Sequence, residues 1–151
     1  MRAQQTRSRG RTAERGSAAL EALIIVPVCL AAVAVVVMAG RLAVAQQVAE
    51  TAAADAARAG SIARSAVTAQ ADARTAAERS LTDQDLNCTQ LTVDIDASQI
   101  GNAVGQRGAV TATITCHVTL SDLASLGILP GSVPVTASMT SPIDRFRSTA
   151  S

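Results

Sequence analysis

The chain has 151 residues and a formal net charge of +1 at pH 7, with 13 Lys and Arg residues against 12 Asp and Glu residues. A balance this close to neutral gives no general attraction to nucleic acid, so nucleic acid is excluded as an expected partner. Hydrophobic residues reach 48% but aromatic residues only 1%, and Phe146 is the single example. A folded part outside a membrane therefore has a lean core and needs a cross-link or partner subunits.

A basic N-terminal segment precedes a long uncharged one. The arginines of residues 1–16 are Arg2, Arg7, Arg9, Arg11 and Arg15. Residues 22–40 carry no charge, and about 19 residues at 1.5 Å each nearly match the roughly 30 Å hydrocarbon core of a bilayer. The positive-inside rule places the arginines in the cytoplasm and everything after Arg41 outside. We therefore predict a single-pass protein of the cell membrane, with a cytoplasmic leader over residues 1–16 and a transmembrane helix in the lipid bilayer over 17–40.

An alternative cleavage site follows the apolar segment. Ala43-Val44-Ala45 has the A-x-A form that signal peptidases recognise, and cleavage there would release a secreted binding module that begins at Gln46. The apolar segment is longer than the roughly 7–15 residues of a usual signal peptide, and Arg41 lies where the cleavage region is normally uncharged. Both features favour a retained anchor. An uncleaved, signal-anchored accessory protein is the third interpretation.

Glu21 is an acidic residue at the start of the apolar segment, between Leu20 and Ala22. An acidic side chain in a membrane helix costs about 2.5–3.5 kcal/mol at mid-bilayer and less near the interface, so it usually has a partner or a function. Taken alone, Glu21 also fits an interfacial carboxylate that reaches the lipid headgroups. The residues that precede it distinguish the two interpretations.

The stretch Arg15–Glu21, RGSAALE, contains a glycine and then a glutamate at the fifth position after it, between a basic leader and an apolar helix. It resembles the prepilin-peptidase site of the type IV pilin superfamily. The resemblance implies cleavage by a prepilin peptidase between Gly16 and Ser17, with Ser17 as the mature N-terminus. It also implies that the Glu21 carboxylate is an assembly counter-ion for the Ser17 α-amino group of a neighbouring subunit. Ala22 stands where the family often has an aromatic residue, which argues against a major pilin.

Residues 41–81 are rich in alanine and contain no proline. Small or apolar side chains recur at steps of three, four and seven residues, at Val44, Val48, Ala52, Ala59, Ile62, Ala66 and Ala73. This spacing predicts one extracytoplasmic helix over residues 41–81, with a weak point and bend at Gly60-Ser61. Because alanine buries little area, we expect this helix to depend on docking against a sheet or against equivalent helices.

Period-two alternation replaces the helical spacing after a polar break at residues 82–87. The alternating apolar residues are Leu91, Val93, Ile95 and Ala97, then Val110, Ala112, Ile114, Cys116, Val118 and Leu120, then Val133, Val135, Ala137 and Met139. We predict three antiparallel strands in a β-rich extracytoplasmic domain over residues 82–151, with Pro134 on an edge strand. Turns between the first two strands are indicated by Gly101, Gly105 and Gly108. The predicted class is α+β, a long N-terminal helix followed by a small sheet.

This order of elements and the C-terminal stretch Ser141–Arg147 are similar to those of actinobacterial TadE-like proteins. The resemblance covers most of the chain after Arg15. It implies a pilin-like fold and a non-enzymatic pseudopilin of the tight-adherence (Flp) pilus system, without a cofactor. The implied partners are a prepilin peptidase, other pilus subunits and the membrane platform proteins.

Cys88 and Cys116 both fall on the predicted outer side of the membrane, where oxidation is favoured, so a disulfide between them is expected. Cys116 shares the apolar face of its strand. Cys88 is out of parity with Leu91 and Val93, so it must either precede the regular strand or lie at a bulge. Cys29, within the apolar segment, is interpreted as a packing residue.

The sequence does not favour a catalytic or metal site. A zinc site at Cys88, Cys116 and His117 would lack a ligand, and neighbouring residues of a regular strand point to opposite faces. His117 is the single histidine and has no nucleophile-elbow motif near it. Asp94 and Asp96 share one strand face and could bind a cation, but paired outward carboxylates are usually a solvated or edge-protecting surface. We therefore expect no enzyme activity and no metal.

Overall fold

A computed structural model describes residues 8–101, 106–124 and 130–144, with only the backbone described for 8–20 and for residue 124. The elements in chain order are α1 (Ser8–Ile62), α2 (Ala66–Asp83), β1 (Gln90–Asp96), β2 (Gly108–Thr119), α3 (Leu120–Ala124) and β3 (Ser132–Ile143). The chain divides into two compact units, Met1–Ala39 and Gly40–Ser151. We call these the N-terminal unit and the C-terminal unit. The predicted α+β class, a long apolar helix followed by a three-stranded antiparallel sheet, is confirmed.

The prediction of one helix over residues 41–81 is wrong, because α1 ends at Ile62 and α2 begins at Ala66. Ser65 caps the new helix. Its Oγ accepts the Thr68 N–H at 3.2 Å, and Thr68 Oγ1 accepts the Ser65 N–H at 3.2 Å. This reciprocal capping satisfies backbone donors that a continuous helix would have bonded internally. The weak point at Gly60-Ser61 is therefore the end of a helix.

The second helix folds back along the C-terminal part of the first. Ser80 Oγ donates a hydrogen bond to Asp55 Oδ2 at 2.9 Å across the two helices. At the other end of the helix pair, a Cβ added to Gly60 would lie 3.6 Å from Ala73 Cβ and 3.0 Å from Val110 Cγ1. Gly60 thus permits α1 to approach both α2 and β2 closely. The two helices form an antiparallel hairpin.

Leucine in place of Ala73 should lower the free energy of unfolding by about 1–3 kcal/mol, because extra methyl groups overpack a closed interface. Ala73 has no exposed surface. Ala71→Leu is the matched control, since Ala71 lies on the exposed face of the same helix and the helix propensities change equally. Denaturant unfolding of both full-length variants in detergent measures the difference. Equal stability of the two variants would contradict close packing at Ala73.

The sheet has the order β1-β2-β3, and both neighbouring pairs are antiparallel. Gln90 lies opposite His117 at one end of the first pair, and Asp96 lies opposite Thr111 at the other. The β2–β3 pair extends from Gly108–Ile143 to Thr119–Ser132. The predicted edge position of Pro134 is confirmed. The second strand ends at Thr119, so the prediction that it continues to Leu120 is wrong; that residue starts α3, where Thr119 Oγ1 accepts the Asp122 N–H at 3.2 Å.

The core lies between the helical hairpin and one face of the sheet. The inward residues of β2 are 0–3% exposed, and they are Val110, Ala112, Ile114, Cys116 and Val118. Opposite them, the buried helix residues are mainly alanine, including Ala49, Ala52, Ala53, Ala56, Ala57, Ala69, Ala73 and Ala77. Small side chains let the helix backbones come close to the sheet, and the branched residues of β2 fill the space that remains.

The other face of the sheet is polar and carries paired hydroxyl groups. Between β2 and β3 the hydrogen-bonded pairs are Thr111–Thr140 at 3.0 Å, Thr113–Ser138 at 3.0 Å and Thr115–Thr136 at 3.2 Å. Cross-strand hydroxyl pairs of this kind each stabilise a sheet modestly. This face is solvated, so the period-two pattern in the sequence reflects a sheet covered by helices on one side only.

Candidate functional site

The apolar part of α1 before Ala45 is uncovered. Exposed fractions of its large side chains lie between 37% and 71%, at Leu23, Ile24, Ile25, Val26, Val28, Leu30, Val33, Val35, Val36, Val37, Leu42 and Val44. A helix that is apolar all round is stable only inside lipid or against other helices. Within the described residues, Glu21–Ile62 is the one helix segment long and apolar enough to cross a membrane, and none of its most apolar window is buried. A signal sequence near an N-terminus can also form a helix this apolar, so length and composition alone do not distinguish the two.

The helix changes character within one turn. Ala45 is 4% exposed and Val48 is 7% exposed, and from there one side of α1 packs in the C-terminal unit. Two side chains at this boundary bond to backbone carbonyls far along the chain. Arg41 Nη1 donates to the Asp122 carbonyl at 2.6 Å, and Gln46 Nε2 donates to the Thr136 carbonyl at 3.0 Å. The sequence analysis used Arg41 as a membrane boundary and as an argument against cleavage after Ala45, and it missed both contacts, for which the sequence pattern has no signal.

The alternative cleavage site, after Ala45, lies between Arg41 and Gln46, the two residues that bond to distant carbonyls. Residues 43–45 are helical, and the bond after Ala45 joins a buried alanine to Gln46. Cleavage there would remove Arg41, and with it the contact to the Asp122 carbonyl. The folded domain therefore includes residues that a secreted form would lack.

Glu21 is the first residue whose side chain the structure describes, and it is exposed. Its neighbour Leu23 begins the uncovered apolar surface. The predicted processing residues Gly16 and Ser17 lie inside α1, and their side chains lie outside the described part of the chain. Glu21 is thus an exposed carboxylate at the start of an apolar helix surface.

The predicted disulfide is present: Cys88 and Cys116 are bonded, with a Cα–Cα distance of 5.2 Å. Cys116 lies on the inner face of β2 and is fully buried. Cys88 precedes β1, which is one of the two positions that its parity allowed. Thr89 donates to the His117 carbonyl from both N and Oγ1 at 2.9 Å, while Gln90 is the Cα partner of His117. Two residues therefore face one, which is the arrangement of a β-bulge.

The described side chains that could bind a metal ion or react do not lie close together. Among the described residues, no three His, Cys, Asp or Glu side chains are close enough to hold a metal ion. Asp94 and Asp96 are exposed on the polar face of β1. The Asp96 carboxylate accepts the Ser98 N–H at 3.1 Å, and hydrogen bonds from the Ser98 side chain and backbone hold the pKa of Asp96 below its ordinary value. Asp96 is therefore ionised at neutral pH.

A cavity of about 300 Å³ lies beside Arg41 in the C-terminal unit. Its buried apolar lining comprises Ala45, Val48, Val118 and Leu123, and its polar lining includes Arg41, Gln84, Asp85, Asn87 and Asp122. This volume is at the lower end of the range for small-molecule sites.

Of the glycines predicted to form turns after the first strand, Gly101, with φ +108°, makes the turn after β1, and Gly105 lies outside the described residues.

Comparison of the chain with protein-family models, with curated proteins and with solved structures finds no match.

Proposed function

We propose that the chain is a non-enzymatic pseudopilin of a tight-adherence (Flp) pilus system, held in the cell membrane by α1 with its C-terminal unit outside. The observation that carries the proposal is the uncovered apolar helix surface that begins directly after Glu21 and ends where α1 enters a folded domain. A helix of this kind needs lipid before assembly and neighbouring helices after it. The partners are a prepilin peptidase, other pilus subunits and the membrane platform proteins.

Processing between Gly16 and Ser17 is the first proposed step. The bond lies within α1, so a peptidase must unwind the helix locally to reach it. Glycine in a helix interior is less stable than alanine by roughly 0.5–1 kcal/mol, which favours unwinding at this position. Removal of the arginine-rich leader leaves an α-amino group close to the apolar segment, and Glu21 of a neighbouring subunit is its proposed counter-ion.

The disulfide fits the proposed orientation. A bond between Cys88 and Cys116 persists in an oxidising compartment and is disfavoured in the cytoplasm. The positively charged leader independently favours a cytoplasmic N-terminus. Together they support an N-terminus in the cytoplasm and a C-terminal unit outside.

Sequencing of the mature N-terminus in the native host tests the proposal. We expect Ser17. An N-terminus at Gln46 would instead indicate a secreted module, and an intact Met1 would indicate an uncleaved accessory protein.

Gly16→Leu should accumulate a slower-migrating precursor that retains the leader, because bulk at this position blocks close approach to the peptidase. Gly10→Leu, the same change within the leader, should be processed normally.

Glu21→Ala should leave membrane insertion intact and abolish assembly. Removing a carboxylate from the apolar segment relieves a desolvation cost, so the membrane fraction should be unchanged. The amine that loses its counter-ion is left unpaired, and breaking a buried pair in this way costs about 3–5 kcal/mol. Co-purification with other pilus components should therefore fall to background, while Glu50→Ala, in the exposed part of the same helix, should have no effect. Unchanged co-purification of the Glu21 variant would leave Glu21 as an interfacial residue.

A further inference from the structure

The two edges of the sheet differ in what they offer another strand. On β3, Pro134 and Pro142 have no N–H, and the Thr136 carbonyl already accepts the Gln46 side chain. Prolines and covering side chains are common protections of an edge strand. On β1, residues 90–96 include no proline, and no strand in the described part of the chain pairs with the outer edge. The edge of β1 therefore carries charged side chains, but within the described ranges it has neither a proline nor a strand paired with it.

The inner face of β1 is also incompletely covered. Leu91, Val93 and Ile95 are half-buried, whereas the inward residues of the neighbouring β2 are almost fully buried. The helix α2 contacts β1 on this side. A further strand along the free edge would continue the same face and remove part of this apolar surface from water.

The outer face of β1 carries negative charge. Asp94 and Asp96 are exposed and lie opposite Thr113 and Thr111 of β2. Among the described residues, neither carboxylate forms an ion pair, and the outer face of the sheet carries no Lys or Arg. Opposite charges on directly paired strands stabilise a sheet, and like charges destabilise it.

We propose that the free edge of β1 binds an extended segment of a partner protein, one that alternates apolar residues facing α2 with Lys or Arg residues beside Asp94 and Asp96. Main-chain hydrogen bonds to β1 supply affinity, and the two carboxylates select a basic strand. A second copy of β1 is a poorer occupant, because antiparallel pairing of two copies would gather four carboxylates on one face. This inference is independent of the proposed processing and assembly of α1.

The test uses the full-length chain in detergent and two short labelled peptides, one alternating valine with arginine and one alternating valine with glutamate. Fluorescence anisotropy should detect binding of the arginine peptide only, weakening as salt is added. Amide hydrogen exchange at Gln90–Asp96 should slow by at least about ten-fold in saturating peptide, since edge N–H groups become bonded. Exchange along β3 should be unchanged.

Charge reversal then separates recognition from folding. Asp94→Lys should weaken binding of the arginine peptide by about three-fold or more, and Asp94→Lys with Asp96→Lys by about ten-fold or more. Asp72→Lys with Asp83→Lys, an equal charge change at exposed positions of α2, is the control and should bind as the unmodified chain does. The single Asp94 variant spares the Ser98 hydrogen bonds to Asp96. Equal binding of the glutamate peptide, protection at β3, or concentration-dependent protection of β1 without peptide would each overturn the proposal.

Discussion

Loss of the Cys88–Cys116 bridge is expected to lower the free energy of unfolding of the C-terminal unit by about 2–5 kcal/mol. The cysteines are separated by 28 residues, and closing a loop of this size removes chain entropy from the unfolded state equivalent to about 3.6 kcal/mol. That is a large share of the roughly 5–15 kcal/mol typical of a whole protein. A core made mainly of alanine has little other apolar area to offset the loss.

The choice of variant separates the effect of losing the disulfide from the effect of changing the packing around each cysteine. Cys116 is fully buried, so serine there would add an unsatisfied hydroxyl and make the loss larger than alanine would. Cys88→Ala is the cleaner deletion, and the double variant Cys88→Ala with Cys116→Ala should lose little more than Cys116→Ala alone. Cys29→Ser is the control, because Cys29 is a free thiol in α1. Denaturant unfolding with and without reductant measures the effect, and equal stability in both conditions would contradict it.

Redox state in native membranes reports orientation at the same time. Alkylation before and after reduction, followed by mass spectrometry, should find Cys88 and Cys116 oxidised and Cys29 as a thiol. If the C-terminal unit faced the cytoplasm, glutathione would keep all three reduced. A reduced pair would overturn the proposed topology, although the disulfide fits the geometry of the folded chain.

Ile114→Ala is expected to lower the free energy of unfolding by about 2–5 kcal/mol. Among the described residues, Ile114 is the largest side chain that is fully buried. In the sheet it is the register partner of Val93 on β1 and of Ala137 on β3. The facing helix residues are alanines, which are too short to move into the space that the deletion leaves. The cost should therefore fall in the upper part of that range.

Val67→Ala is the control for this deletion, because Val67 is 78% exposed on α2. Its free energy of unfolding should change by less than about 0.5 kcal/mol. Urea unfolding of both variants, followed by circular dichroism, gives the comparison. A small loss of unfolding free energy for Ile114→Ala would contradict this, because it would mean that the helical hairpin moves onto the sheet and fills the cavity.

The strands could be predicted because alternation in the sequence follows directly from one covered and one solvated sheet face. The same parity argument allowed Cys88 either before the regular strand or at a bulge, and Cys88 precedes β1, next to Thr89 and Gln90, which both face His117. The end of α1 was missed because alanine spacing continues without interruption from Ile62 to Ala66. The local signal was the reciprocal cap at Ser65 and Thr68, which a periodicity search does not detect.

The side-chain contacts from α1 to α3 and β3 could not be predicted. Arg41 and Gln46 bond to backbone carbonyls 81 and 90 residues away, and any residue type presents such a carbonyl. No spacing rule connects a side chain to a distant main-chain acceptor. The proposed site at Gly16, Ser17 and Glu21 has the opposite character, since it is a linear motif. The folded chain adds that the proposed cleavage bond is helical and that the uncovered apolar surface begins just after Glu21.

Alanine packing between α1 and α2 also determines how the stability of the C-terminal unit varies with temperature. Alanine loses no rotamer freedom on burial, so the interface forms with little side-chain entropy to oppose it. It also exposes little apolar surface on unfolding, and apolar exposure is the main positive contribution to the heat capacity change. A small heat capacity change flattens the curve of unfolding free energy against temperature. We therefore expect the domain to lose stability slowly on cooling, because the hydrophobic contribution that fades in the cold is a small part of what holds it together.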